Sequence, residues 1–85
     1  MWQVYILKCK DETFYTGITT DLERRVDEHN NSILGAKYTI GRRPVILVYS
    51  KKFKNRSLAS KEENRIKKLT KAQKQDLIRN ISISC

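Results

Sequence analysis

Trp2-Gln3-Val4-Tyr5-Ile6-Leu7-Lys8-Cys9 and Thr13-Phe14-Tyr15-Thr16-Gly17-Ile18 are two runs rich in β-branched and aromatic residues, separated by the polar stretch Lys10-Asp11-Glu12. Such runs read as paired strands. The link lacks the Asn-Gly or Asp-Gly of the tightest hairpins, so a slightly longer loop is expected. Period-two alternation puts Tyr5, Leu7 and Cys9 on one face of the first strand and Val4, Ile6 and Lys8 on the other. Tyr15 and Gly17 share a face of the second strand, and Tyr5 and Tyr15 are expected to present their rings toward a common side.

A helix follows. Thr20 and Glu23 have the S/T-x-x-E spacing of a capping box, and Leu22, Val26, His29 and Ile33 recur at helical spacing as its buried stripe. Arg25 borders that stripe and Arg24 points elsewhere. Residues 30–43 form a loop-rich basic stretch punctuated by Gly35 and Gly41 and carrying Lys37, Tyr38, Arg42 and Arg43. Pro44 then opens Val45-Ile46-Leu47-Val48-Tyr49, a continuous apolar run of the kind found in a central strand, with Pro44 acceptable only as its first residue. From Ser57 the period is helical again, through Leu58, Ala59, Glu62, Glu63, Ile66 and Leu69. Thr70-x-x-Gln73 offers a second capping box for a final helix with Leu77, Ile78 and Ile81. The order is β-β-α-β-α-α, an α/β (α+β) chain. Its 85 residues suit one domain, spanning 1–85.

Eighteen Lys plus Arg against nine Asp plus Glu give a formal charge of +9. An excess of this size points to an anionic partner, nucleic acid first. A membrane surface fits less well, because no helix pairs a strongly apolar face with a basic one, and the run Val4 to Leu7 is too short to span a bilayer. Cys9 and Cys85 make no disulfide framework. One histidine and no CxxC pair argue against zinc. The expected setting is reducing and cytoplasmic.

The order of these motifs resembles the GIY-YIG nuclease domain: Gln3-Val4-Tyr5, then Tyr15-Thr16-Gly17, then a helix opening Asp21-Leu22-Glu23-Arg24-Arg25. Together with Ser57-Leu58-Ala59 and Ile66-Lys67-Lys68-Leu69-Thr70-Lys71, they are similar to the small UPF0213 (YhbQ-like) group in particular. The resemblance implies a small three-stranded antiparallel sheet flanked by helices. It implies an endonuclease acting on DNA phosphodiesters with a divalent metal, Mg²⁺ or Mn²⁺. Carried over by position, Tyr5 and Tyr15 match the motif tyrosines, with Tyr15 nearer the nucleophile. Gly17 closes the second triplet, where it allows close approach to a substrate phosphate. Arg25 matches the transition-state arginine, and His29 a position often held by histidine. Glu63 matches the metal-binding glutamate, with Glu62 as a rival one residue away. One motif is missing: Leu69 to Ile78 contains no asparagine, where many family members carry one.

The chemistry is coherent on its own terms. Phosphodiester hydrolysis needs an activated water, compensation for added negative charge and help for the leaving oxygen. Arg25 stays charged and forks onto phosphate oxygens. A phenol, with an ordinary pKa near ~10, serves as a base only where its surroundings favour ionisation. A lone carboxylate suits a hard cation held largely by water and substrate phosphate. Arg42 and Arg43 head a broad set of cations suited to phosphate contacts, which give affinity without base specificity. Tyr38 could stack on unpaired bases, and Phe53 suits the rim of the core.

Taken singly, each residue has an ordinary explanation: strand tyrosines pack, a helix arginine covers apolar area, and Glu63 pairs with Lys67 at i,i+4. Their co-occurrence in order is what favours a site. The competing expectations are a nucleic-acid-binding module with little catalysis, and a nuclease subunit that relies on a protein partner for target choice.

Overall fold

The computed structural model describes residues 1–31 and 41–84, with side chains described as far as Arg79. Ile33, Gly35, Lys37, Tyr38 and Cys85, and the side chains of Asn80 and Ile81, lie outside the described residues. The elements are β1 (Trp2–Lys8), β2 (Phe14–Thr19), α1 (Leu22–Asn31), β3 (Ile46–Phe53), α2 (Arg56–Lys67) and α3 (Lys71–Ser84). The strands form one antiparallel sheet in the order β2-β1-β3. This is the expected β-β-α-β-α-α architecture.

β1 is the centre, and the alternation read from it holds. Val4 and Ile6 join Tyr49, Ala59 and Ile66 in one core, with Leu77 and Ile78 packed against it. Tyr5, Leu7 and Cys9 join Val45 in a second core beneath Leu22 and Val26 of α1. The sheet is thus covered by α2 and α3 on one side and by α1 on the other. Val4, Ile6 and Leu7 are fully buried, each worth about 1.5–3 kcal/mol relative to exposure.

The run at 45–49 is an edge strand, not the central one expected. Ile46 is 63% and Leu47 39% exposed. Its unbroken apolar character has a different cause. The pairing jumps from Ile6↔Tyr49 to Leu7↔Leu47, leaving Val48 as the extra residue of a bulge. Val48 and Tyr49 both pack toward the Val4 side. The bulge breaks the alternation that would otherwise have marked a one-sided edge strand. Lys51 and Lys52 lie further along this edge, where charge discourages pairing with another chain.

The link between β1 and β2 is a longer loop, as expected: Cys9 N–H donates to the Thr13 carbonyl at 2.8 Å and Glu12 N–H to that of Cys9 at 3.0 Å. Glu12 adopts φ 71° and its carboxylate pairs with Lys8 at 3.0 Å. At the far end of the chain the Thr70 box forms in both directions. Thr70 N–H donates to Gln73 Oε1 at 2.9 Å, and Gln73 N–H donates to Thr70 Oγ1 at 3.2 Å. The sequence pattern missed the cap of α2, where Asn55 Oδ1 accepts from Leu58 N–H at 3.0 Å.

The start of α1 also differs from expectation. Asp21, not Thr20, caps the helix: its carboxylate accepts from Arg24 N–H at 3.2 Å, and its carbonyl accepts the first helical bond from Arg25. Thr19 Oγ1 accepts from Asp21 N–H at 3.1 Å, which fixes the exit from β2. A carboxylate is also the better partner for the positive end of the helix dipole. Asp21→Ala is therefore expected to lower unfolding free energy by about 1 kcal/mol. Thr20→Ala should change it by less than about 0.5 kcal/mol. Urea denaturation of the two variants checks the assignment, and the reverse ranking would restore Thr20 as the cap.

Candidate active site

Tyr5 sits at the middle of the central strand, directly opposite Gly17 on β2. Its phenol lies across the glycine: a Cβ at position 17 would fall 2.6 Å from Tyr5 Oη and 2.7 Å from Cζ. Any side chain there would displace the ring. Gly17 is expected from its motif to admit a substrate phosphate, but the space over it is filled by the Tyr5 phenol.

Beyond the glycine, three rings converge. Tyr15 lies 6.4 Å from Tyr5 between ring centroids, and His29 lies 5.8 Å from Tyr5 and 5.1 Å from Tyr15. The Tyr5 hydroxyl and His29 Nε2 share a buried hydrogen bond of 2.9 Å. Arg25 donates to Glu28 Oε1 at 3.0 Å and also hydrogen-bonds the Tyr5 phenol. A guanidinium only donates. The arrangement that satisfies every group therefore has the phenol oxygen accepting from Arg25 and its O–H directed at Nε2. This tautomer is assigned from the network.

Burial pushes the Tyr5 phenol up to about 12, with the neighbouring Tyr15 adding to the rise and Arg25 opposing it. Burial pulls His29 down to about 4, helped by the positive charges of Arg25 and Arg43 and opposed by Glu28. At neutral pH, Tyr5 is a protonated phenol and His29 a neutral imidazole. The Arg25 side chain stays 25% exposed, so the cation can reach a ligand outside the network.

The remaining sequence candidates divide. Glu63 is on α2, and its charge opposes ionisation of the Tyr5 phenol; it also pairs with Lys67 at 3.3 Å. Glu62 acts instead on Tyr49, beneath the opposite face of the sheet. Both oxygens of Glu62 accept from Arg65, at 2.6 and 2.7 Å. Arg42 and Arg43, expected to hold substrate phosphate, are tied into the fold. Arg42 Nε donates to Asp11 Oδ2 at 3.0 Å. Arg43 donates to the His29 and Glu28 carbonyls at 2.5 and 3.1 Å, closing the end of α1. Phe53 packs at the rim of the Val4 core.

Two residues of the site's support escaped the sequence pattern. Glu28, three residues after Arg25, holds the guanidinium; that i,i+3 spacing was a usable signal. Asn30 bonds Val45 in both directions, at 2.7 and 3.0 Å. That link joins residues distant in sequence and has no local signature.

A model of the GIY-YIG catalytic domain matches residues 1–76. The chain belongs to the GIY-YIG family. Within that family it is 53% identical to a UPF0213 protein of Desulfotalea psychrophila, over 92% of this chain and 71% of the relative. It is 58% identical to a UPF0213 protein of Clostridium perfringens, over 94% and 85%. Two solution structures share the fold. One is the UPF0213 protein BH0048 of Bacillus halodurans, with a TM-score of 0.59 and 44% identity over 93% of this chain and 84% of that one. The other is EF2693 of E. faecalis, with 0.64 and 46% over 95% and 85%. This GIY-YIG chain thus carries its two triplets on β1 and β2 and its motif arginine on α1.

The neutral His29 makes a pH prediction. Its folded pKa, about 4, lies below the ordinary value of about 6.5, so the unfolded chain binds the extra proton first. This contribution to stability is complete above pH ~6.5, declines as pH falls toward 4 and is flat below. Between those limits the protein should lose on the order of 3 kcal/mol more than a His29→Gln variant. Denaturant unfolding across that range measures the difference, and parallel profiles would refute a buried neutral imidazole.

Proposed function

We propose that this chain is a metal-dependent endonuclease that hydrolyses DNA phosphodiester bonds through Tyr5, Tyr15, Arg25 and Glu63. The observation that carries the proposal is a cluster in which Tyr5, the neutral His29 and the partly exposed Arg25 are joined by hydrogen bonds and the Tyr15 ring packs against Tyr5 and His29. It occurs in a chain of net charge +9.

The environment divides the phenols between two roles. Tyr5 is buried, bonded to His29 and Arg25, and held protonated. It serves to orient the attacking water or a phosphate oxygen and not to remove a proton. His29 keeps that phenol in place. Tyr15 is less buried than Tyr5; as a phenolate it would take the proton of the attacking water as the oxygen approaches phosphorus, ending as the neutral phenol. Arg25 donates to the oxygens that gain charge in the transition state.

Glu63 is the α2 carboxylate whose charge acts on Tyr5, and among the described residues no group of three His, Cys, Asp or Glu side chains converges. A single oxygen donor fits a hard cation such as Mg²⁺ or Mn²⁺, completed by water and substrate. Glu63 would hold it, after release from Lys67, and when bound the ion supplies charge compensation at the phosphate and the leaving oxygen.

Purified protein incubated with single-stranded, duplex and branched DNA plus Mg²⁺ or Mn²⁺ should cut at least one of them. Arg25→Ala should lower the rate by about 10²–10³-fold, and Glu63→Ala should remove the metal-dependent product. Cleavage unchanged in both variants would mean that this site is not responsible. Salt-sensitive DNA binding with no product would assign the chain to binding alone. Activity found only with a co-purifying protein would make it a subunit.

A further inference from the structure

We infer that the DNA strand crosses the Tyr5-bearing face of the sheet toward β3, where Ser50 and Lys52 hold the phosphate next to the reacting one. The inference rests on the nuclease reading for the position of the reacting phosphate. Its geometry comes from the strand register. Cross-strand partners point to the same face, so the row through the site is Gly17–Tyr5–Ser50 and the adjacent row is Thr19–Gln3–Lys52. Ser50 is the direct neighbour of Tyr5, at roughly 4.5–5.5 Å between Cβ atoms, and Lys52 is the diagonal one, at roughly 7–8 Å. That places the ammonium a step away from the reacting group.

Three observations favour a polymer on this face. Among the described residues there is no enclosed pocket, and the Arg25 side chain of the network is partly exposed. Ser50 and Lys52 are both exposed. Among the described residues, Lys52 makes no hydrogen bond or ion pair, unlike several other cations of the chain. Lys8 is paired with Glu12, Arg42 with Asp11 and Arg65 with Glu62. An uncommitted cation beside a hydroxyl suits the oxygens of a phosphodiester.

Lys51 is the internal contrast. It has the same charge and neighbours Lys52 in sequence, but it pairs with Val4 in the register and therefore lies on the opposite face. There it sits 5.6 Å from the centre of the Phe53 ring and feels the Glu62 carboxylate. Two adjacent lysines of one strand thus lie on opposite faces with different surroundings, and charge alone does not distinguish them.

The test is metal-free binding of the full chain to fluorescently labelled single-stranded and duplex DNA of mixed sequence, in EDTA, as salt is varied. Lys52→Ala should weaken binding to every sequence and reduce the slope of log K against log salt by about 1. Lys52→Arg should keep the slope, and Lys51→Ala should match wild type. Thermal unfolding should be the same for all three, since both side chains are exposed. Equal losses from Lys51→Ala and Lys52→Ala, or no loss from either, would overturn the inference, as would a wild-type chain that does not bind DNA. Cleavage with Mg²⁺ or Mn²⁺ reads the nuclease proposal separately. Cutting with indistinguishable lysine variants removes the track alone, whereas a selective Lys52 effect without cutting leaves the track and removes the nuclease.

Discussion

The arrangement depends on the Tyr5 phenol being held in one place. The central strand brings it into the interior, Gly17 leaves room for it across the hairpin, and His29 and Arg25 satisfy its oxygen from the helix above. A buried hydroxyl without partners would cost about 1–3 kcal/mol. The hydrogen bonds are therefore a condition of the fold as well as of the site. They also tie α1 to the sheet at the point where Arg25 must be aimed, and Glu28 completes that aim from one turn further along the helix.

The same constraint separates two tyrosines that look equivalent in their triplets. Enclosure and the Arg25–His29 contacts make Tyr5 a fixed, protonated group. Tyr15 shares the ring cluster without that enclosure. Coupling of this kind is specific to position: the low dielectric that raises the phenol's pKa lowers that of the imidazole beside it. Both groups are neutral near pH 7, so the positive charge in the cluster belongs to Arg25, which can turn it toward an anion.

Much of this was legible in the sequence, and the failures have physical reasons. Alternation in Trp2 to Cys9 correctly divided the residues between two cores, because β1 is paired on both sides and its pleat is regular. Alternation failed in β3, where the Val48 bulge puts consecutive apolar residues on one face and an edge strand resembles a central one. The Thr70 box was readable because both partners are local. The Thr20 box was not made, because Thr19 turns the chain and Asp21 is the stronger acceptor. Motif order brought Tyr5, Tyr15, Arg25 and His29 together correctly. It could not show that Arg42 and Arg43 are engaged by Asp11 and by the end of α1, since those contacts join segments distant in the chain.

The central claim is that Tyr5 is a locked, protonated phenol, and the ionisation of Tyr5 itself tests it most directly. The ¹³Cζ resonance of labelled tyrosine, assigned by its loss in Tyr5→Phe, reports that ionisation through an alkaline titration. A midpoint near pH 12 is the result expected from burial, with the neighbouring Tyr15 adding to the rise. A midpoint at the ordinary phenol value of about 10 would contradict the buried network and the division of roles built on it.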